Sequence, residues 1–195
     1  MTILAWYEKF RDLCSTFLIS KPLIFDADVF IGDKAHEVEI DESFFGKKAK
    51  NDRGTSKQNC LVFGIIEKKG KKCVLYMVPT NSREILIPLI EKHIPKTTKI
   101  FHDGLSTYSK LHELGYEHSV VFHNKEFVTE DGVHTNTIEG AWGLVKQKIA
   151  SMHGIKSHDR LAAHLDEFSF RQNFKDVKGS IFDIFIEKLA GVNEF

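Results

Sequence analysis

The chain predicts an α/β fold, a mixed five-stranded sheet flanked by helices. Three observations predict it. Asn59–Glu67 and Lys72–Val78 are apolar, β-branched runs joined by Lys68-Lys69-Gly70-Lys71, which reads as a hairpin. Downstream of them, short strand-like runs alternate with helical ones, as in α/β sheets. The 195 residues suffice for one domain with a proper core.

Taken in order, residues 1–19 place Ile3, Leu4, Trp6, Tyr7, Phe10, Leu13, Phe17 and Leu18 at amphipathic helical spacing, closed by Ser20-Lys21-Pro22. Leu23–Asp33 is an irregular connector. Glu37–Asp41 alternates as a strand. Residues 46–58 form a basic loop, and the hairpin follows. Asn81 or Ser82 caps a helix to about His93, with Pro88 inside it as a source of a kink. Thr98–His102 is a short strand ending at Asp103-Gly104. Leu105–Leu114 reads as a helix stopped by Gly115, and Tyr116–His123 as the fifth strand. A polar loop over 124–135 leads to a helix reaching about Met152. Ser157 caps another helix, and a last one spans about Ile181–Leu189. The segments are therefore 1–35, an N-terminal helix and connector; 36–175, the main domain; and 176–195, a C-terminal helix.

Composition excludes several classes. The 42% hydrophobic and 28% charged content is ordinary for a globular protein, and sixteen phenylalanines promise a filled core. Net charge is zero, so polyanion binding has to come from local basic patches. Cys14, Cys60 and Cys73 are odd in number and lack a CxxC pair, which argues against a disulfide framework or a cysteine zinc site. Cys60 and Cys73 read as core thiols of a reduced compartment. Early charges at Glu8, Lys9, Arg11 and Asp12 argue against a signal peptide, and no apolar run is long enough to span a membrane. The expected setting is intracellular: nucleus in a eukaryote, cytoplasm or nucleoid in a bacterium.

Three carboxylates stand at chosen ends. Asp41 lies in the first strand, Asp103 follows the fourth, and Glu139 opens the helix after the fifth. If strands one and four are neighbours, the two aspartates lie close. Close carboxylates repel unless a divalent cation neutralises them, and hard oxygen ligands suit Mg²⁺ or Mn²⁺. Two such ions about 4 Å apart can activate an attacking oxygen and stabilise a leaving one in phosphodiester cleavage. Lys146 lies two turns after Glu139 on the same side of the helix, placed to hold a phosphate oxygen. A local alternative stays open: Asn136 as N-cap and Glu139 as the third residue of a capping box.

With these residues in view, the chain resembles the DDE transposases of the Merlin type and their bacterial relatives, the insertion-sequence XO2-like transposase domain. The resemblance rests on VEIDESFFGKK, VFGIIE, LIPLIEKHIPKTTKIFHDGLSTYSKL, GYEHSVVFHNKEFV, HTNTIEGAWGLVK and HLDEFSFRQNF, over about residues 36–174. It implies a ribonuclease H-like fold, metal-dependent DNA strand cleavage, and joining of a 3′-hydroxyl to target DNA. By position it makes Asp41, Asp103 and Glu139 the catalytic metal ligands, for two Mg²⁺ or Mn²⁺ ions, and Lys146 a phosphate contact. Transposon ends and target DNA are the implied partners, with a homo-oligomer as the active form. Family members usually carry an N-terminal DNA-binding segment; here residues 1–35 read as its remnant, so a truncated copy is one expectation. A structure-selective nuclease and a non-catalytic DNA- or protein-binding module derived from a transposase are the alternatives.

Other residues carry two readings each. Lys47, Lys48, Lys50 and Arg53 face phosphate or form a solvated loop. His102, His134 and Asn136 support the carboxylates, the two histidines alternatively contact DNA, or all three are loop and cap residues. Glu39 shares Asp41's side of the strand and Glu42 takes the other; both read as solvated carboxylates. Trp142 reads as core rather than as a base-stacking platform. Arg171 and Asn173 reach DNA or lie on a plain surface. His153, His158 and His164 do not share a helix face at metal spacing.

Overall fold

The computed structural model describes residues 2–25, 36–46, 60–121, 136–152, 157–175, 182–183 and 186–187. Five strands form one sheet: β1 (Glu37–Phe45), β2 (Cys60–Glu67), β3 (Cys73–Val78), β4 (Lys99–His102) and β5 (His118–Val120). Their order is β3-β2-β1-β4-β5. β1 pairs antiparallel with β2, and β2 with β3, which is the expected hairpin. β4 joins the other edge of β1 in parallel, and β5 joins β4 in parallel. An antiparallel half continued by a parallel half, with helices on both faces, is the mixed five-stranded sheet that the sequence predicts.

Strand alternation divides the core into two layers. On one face Val38, Ile40, Phe63, Ile65, Val74 and Val78 pack under α2 (Arg83–His93). On the other, Phe45, Val62, Ile66, Cys73 and Leu75 pack under α3 (Asn136–Ser151) and α4 (His158–Asn173). α1 (Ile3–Ser20) lies against α4 through Cys14, Phe17 and Phe170. Pro88 does not break α2, which runs on through it. Ser82 occupies the N-cap position of α2 but makes no side-chain cap bond, whereas Ser157 does cap α4, accepting the Arg160 amide at 3.3 Å. No helix among the described residues is long and apolar enough to cross a membrane.

Four sequence expectations change. β1 runs on to Phe45 rather than ending at Asp41, because one of its edges pairs with β2 from Val38 through Phe45. The helix expected over Leu105–Leu114 is instead two 3₁₀ turns, Ser106–Tyr108 and His112–Leu114. The amides of Tyr108, Leu111 and Leu114 each bond the carbonyl three residues back. At three residues per turn, Tyr108 and Leu111 eclipse, and both are fully buried. β5 is shorter than expected: Tyr116 leaves the ladder and its hydroxyl donates to the Ile94 carbonyl at 3.1 Å. α3 begins at Asn136, so Asn136 lies within the first turn rather than before it. Most of the expected helix at 181–189, and the basic loop carrying Lys47, Lys48, Lys50 and Arg53, lie outside the described residues, as does His134.

Candidate active site

The site forms where β1, β4 and α3 meet. The parallel register pairs Glu37 with Lys99, Val38 with Ile100 and Glu39 with Phe101. Carried two residues further, it sets Asp41 level with Asp103, just past the end of β4. Asp103 begins a turn: its Oδ1 accepts the Leu105 amide at 3.0 Å. That bond, with an extended Leu105, delays helical geometry until Ser106.

Asp41 is half-buried, and its Oδ2 accepts the Trp142 indole N–H at 2.9 Å. Trp142 is buried as expected and has this polar role in addition. The indole lies over Gly64, Asp41's cross-strand partner. A Cβ on Gly64 would stand 2.7 Å from the ring, so only glycine admits it there. Glu139 is exposed in the first turn of α3, three residues before Trp142. Lys146, one turn after Trp142, donates from Nζ to Ser43 Oγ at 2.6 Å and lies 5.5 Å from the Phe45 ring centre. Asp41, Trp142 and Lys146 therefore meet along one edge of α3.

Glu39 and Glu42 are not solvated. Glu39 is fully buried, and its Oε2 accepts the Ile138 amide at 2.9 Å. Burial raises its pKa, opposed by the Ile138 bond, the Lys68 charge and bonds from Thr137. The acceptor for this first-turn amide is thus a strand carboxylate, which the capping-box reading does not contain. Glu42 is half-buried and accepts a hydrogen bond from the Tyr108 hydroxyl. Burial, then the charges of Asp41 and Asp103, push its pKa up to about 8, so it holds a proton at neutral pH.

His102 is only 1% exposed, which removes it as a DNA contact. Its Nδ1 accepts the Gly104 amide at 3.0 Å, so the ring hydrogen sits on Nε2 and donates to His118 Nδ1 at 2.9 Å. Burial, then His118, lowers its pKa to about 4, against the pull of Asp103. A neutral His102 thus braces the turn that carries Asp103. Asn173 does not face DNA: it is buried, and its Oδ1 accepts the Cys73 amide at 2.7 Å. Arg171 is paired with Glu167 at 2.8 Å. Strand alternation gave no sign that Glu39 meets the end of a helix, and Gly64 and Tyr108 carried no signal of their roles either.

Residues 34–173 match the family model of the ISXO2-like transposase domain. The chain belongs to that family. Among curated proteins, this transposase domain is similar to an uncharacterised transposase-like protein of Haemophilus influenzae, 26% identical over 113 residues, covering 56% of this chain and 89% of that one. Among solved structures it is similar to the catalytic core domain of BIV integrase, 11% identical, covering 83% of this chain and 100% of that one, with a TM-score of 0.49. It is also similar to the HTLV-2 integrase catalytic core domain in complex with magnesium, 9% identical, covering 77% and 94%, with a TM-score of 0.46. Likenesses this remote transfer no property to the chain.

Proposed function

We propose that the domain is the catalytic domain of a DDE-type transposase, which cuts DNA strands at transposon ends and joins them to target DNA. The observation that carries this reading is the β1–β4 register, which carried past the end of β4 brings Asp103 level with Asp41, together with the bond from Trp142 that ties the Glu139 helix to Asp41.

The carboxylates suit a hard divalent cation, Mg²⁺ or Mn²⁺. Burial, and after it the charges of Asp41 and Asp103, raises the pKa of neighbouring Glu42, and negative charge gathered at this end of the sheet favours a cation. Asp41 and Asp103, joined by Glu139, are the residues that would hold it. A bound pair of ions would supply activation of the attacking oxygen and stabilisation of the leaving one. The chain's own groups do the rest. Trp142 N–H orients the Asp41 carboxylate, and the His102 relay braces the Asp103 turn. Lys146, with Lys47, Lys48, Lys50 and Arg53, offers ammonium and guanidinium groups to DNA phosphates. In the hydrolytic step, water's oxygen bonds phosphorus as the bond to the 3′ oxygen breaks. Water loses a proton and the departing 3′ oxygen gains one. In the joining step that 3′-hydroxyl takes water's place against target DNA. The active form on this reading is a homo-oligomer.

One observation favours a second reading. Among the described residues, no group of three His, Cys, Asp or Glu side chains stands close enough to hold a metal ion. A DNA-binding module without catalysis would need no such group. Incubating the full chain with supercoiled plasmid, labelled 3′-ended duplex and Mn²⁺ separates the readings. Nicked and joined products are expected; nicks without joining indicate a nuclease, and intact DNA at saturating protein indicates the module.

A further inference from the structure

The first amides of an α-helix have no partner inside the helix. They are ordinarily met by a Ser, Thr, Asp or Asn just before it. In α3 the Ile138 amide is met from 99 residues away, by Glu39 in the middle of β1. Desolvating a carboxylate is costly, and a local cap would satisfy the amide more cheaply. What a cap from β1 adds is registration between two elements.

That registration continues down the pair. Glu39 meets Ile138, Asp41 meets Trp142, and Ser43 meets Lys146. Each step is two residues on β1, about 6.8 Å, against four on α3, about 6.0 Å. The near match lays α3 along β1 in one register, with Glu39 as the first rung. Ile138 is only 1% exposed and immediately precedes Glu139. Helix ends fray first, so the turn bearing Glu139 depends most on its own rung.

We propose that Glu39 is a positioning residue: its buried carboxylate pins the first turn of α3 to β1 and thereby sets where Glu139 stands relative to Asp41. This rests on the reading of Asp41 and Glu139 as parts of one metal-dependent site. Glu39 touches neither DNA nor metal in this role; it acts through the Ile138 amide.

The test uses the full chain as Glu39→Gln, Glu39→Asp and Glu39→Ala. Gln keeps an acceptor oxygen at the same reach, Asp withdraws it by one methylene, and Ala removes it. In metal-free protein, Ile138 and Glu139 amides should exchange slowly in wild type and Glu39→Gln. In Glu39→Asp they should exchange roughly tenfold faster, the loss of one net hydrogen bond, with β2 amides unchanged. Mn²⁺ affinity by calorimetry, and kcat for plasmid nicking, should fall by up to about 100-fold in Glu39→Asp at constant KM, as expected for a misplacement of ~1 Å. Glu39→Gln should stay near wild type in both. If Gln proves as impaired as Asp, charge rather than placement is what Glu39 contributes, and the proposal is wrong. Wild-type protection of Ile138 and Glu139 in folded Glu39→Asp would overturn it equally. A wild type that neither binds Mn²⁺ nor cuts DNA sinks the metal-dependent reading instead, while exchange in the metal-free variants still shows whether Glu39 holds the turn. Should Glu39→Ala fail to fold, the Asp and Gln variants decide alone.

Discussion

The Trp142 indole N–H donates to Asp41 Oδ2 at 2.9 Å across 101 residues of sequence. It ties the buried face of α3 to the β1 aspartate. Trp142→Phe keeps an aromatic ring in the core and removes only this donor. Hydrogen bonds to charged groups contribute more than neutral ones, but Asp41 is half-buried and water replaces part of the loss. A destabilisation of about 1 kcal/mol is expected in urea unfolding. A variant as stable as wild type would show that the bond orients Asp41 without holding the fold.

Gly64→Ala should cost more. Its Cβ would sit 2.7 Å and 2.8 Å from Trp142 ring atoms and 3.1 Å from Leu75 Cδ2. The indole is held by Asp41 and by the core around it, so it has little room to yield. Overpacking of this kind costs about 1–3 kcal/mol. Adding Trp142→Leu should recover part of that loss. Strict additivity of the two changes in a double-mutant cycle would mean that the ring is not what Gly64 accommodates.

Asp41→Asn and Asp103→Asn should each abolish DNA cleavage and leave the metal-free protein folded. Relief of repulsion between neighbouring carboxylates makes the metal-free melting temperature equal to wild type or higher. Mn²⁺ should raise the melting temperature of wild type and not of either variant. Equal Mn²⁺-induced shifts in all three proteins would place the metal elsewhere.

Glu139→Gln and Lys146→Ala separate two roles on one helix. Gln keeps the size of Glu but loses the charge that a hard cation requires. Plasmid nicking should collapse while the melting temperature holds. Lys146→Ala removes one phosphate contact, so DNA affinity and its salt dependence should both fall while Mn²⁺ binding stays. Full nicking by Glu139→Gln, in a preparation where wild type is active, would return Glu139 to a structural role.

Acid sensitivity is expected at the α3–α4 contact. Burial opposes ionisation of Glu167, but His164, Arg171 and Lys148 outweigh it and hold its pKa well below the ordinary 4.5. Lys148 Nζ lies 3.2 Å and Arg171 Nε 2.8 Å from its carboxylate. With the folded pKa below the unfolded one, the unfolded chain binds more protons in that window, so stability rises with pH there. The contribution is complete above about pH 4.5 and is lost as pH falls below it. Glu167→Gln should flatten this acid limb of the stability curve and leave its slope above pH 6 unchanged. An identical acid limb in the variant would rule out Glu167 as its source.

Local pattern was enough to determine most elements. The hairpin of β2 and β3, the amphipathic α1 and α4, and the strand–helix alternation follow from periodicity and turn residues alone, because those report which positions are apolar. They also made β1 and β4 candidates for neighbours, and with them Asp41 and Asp103. Periodicity does not report what an apolar or polar position faces. Glu39 in an alternating strand reads the same whether its carboxylate meets water or the end of a helix 99 residues on. Residues 105–114 carry helical spacing. Only the burial of Tyr108 and Leu111 beneath the sheet, and the Tyr108–Glu42 bond, select the tighter 3₁₀ turns. Trp142 was legible as core from its spacing. Its hold on Asp41 needed the gap left by Gly64, which exists only once β1, β2 and α3 have come together.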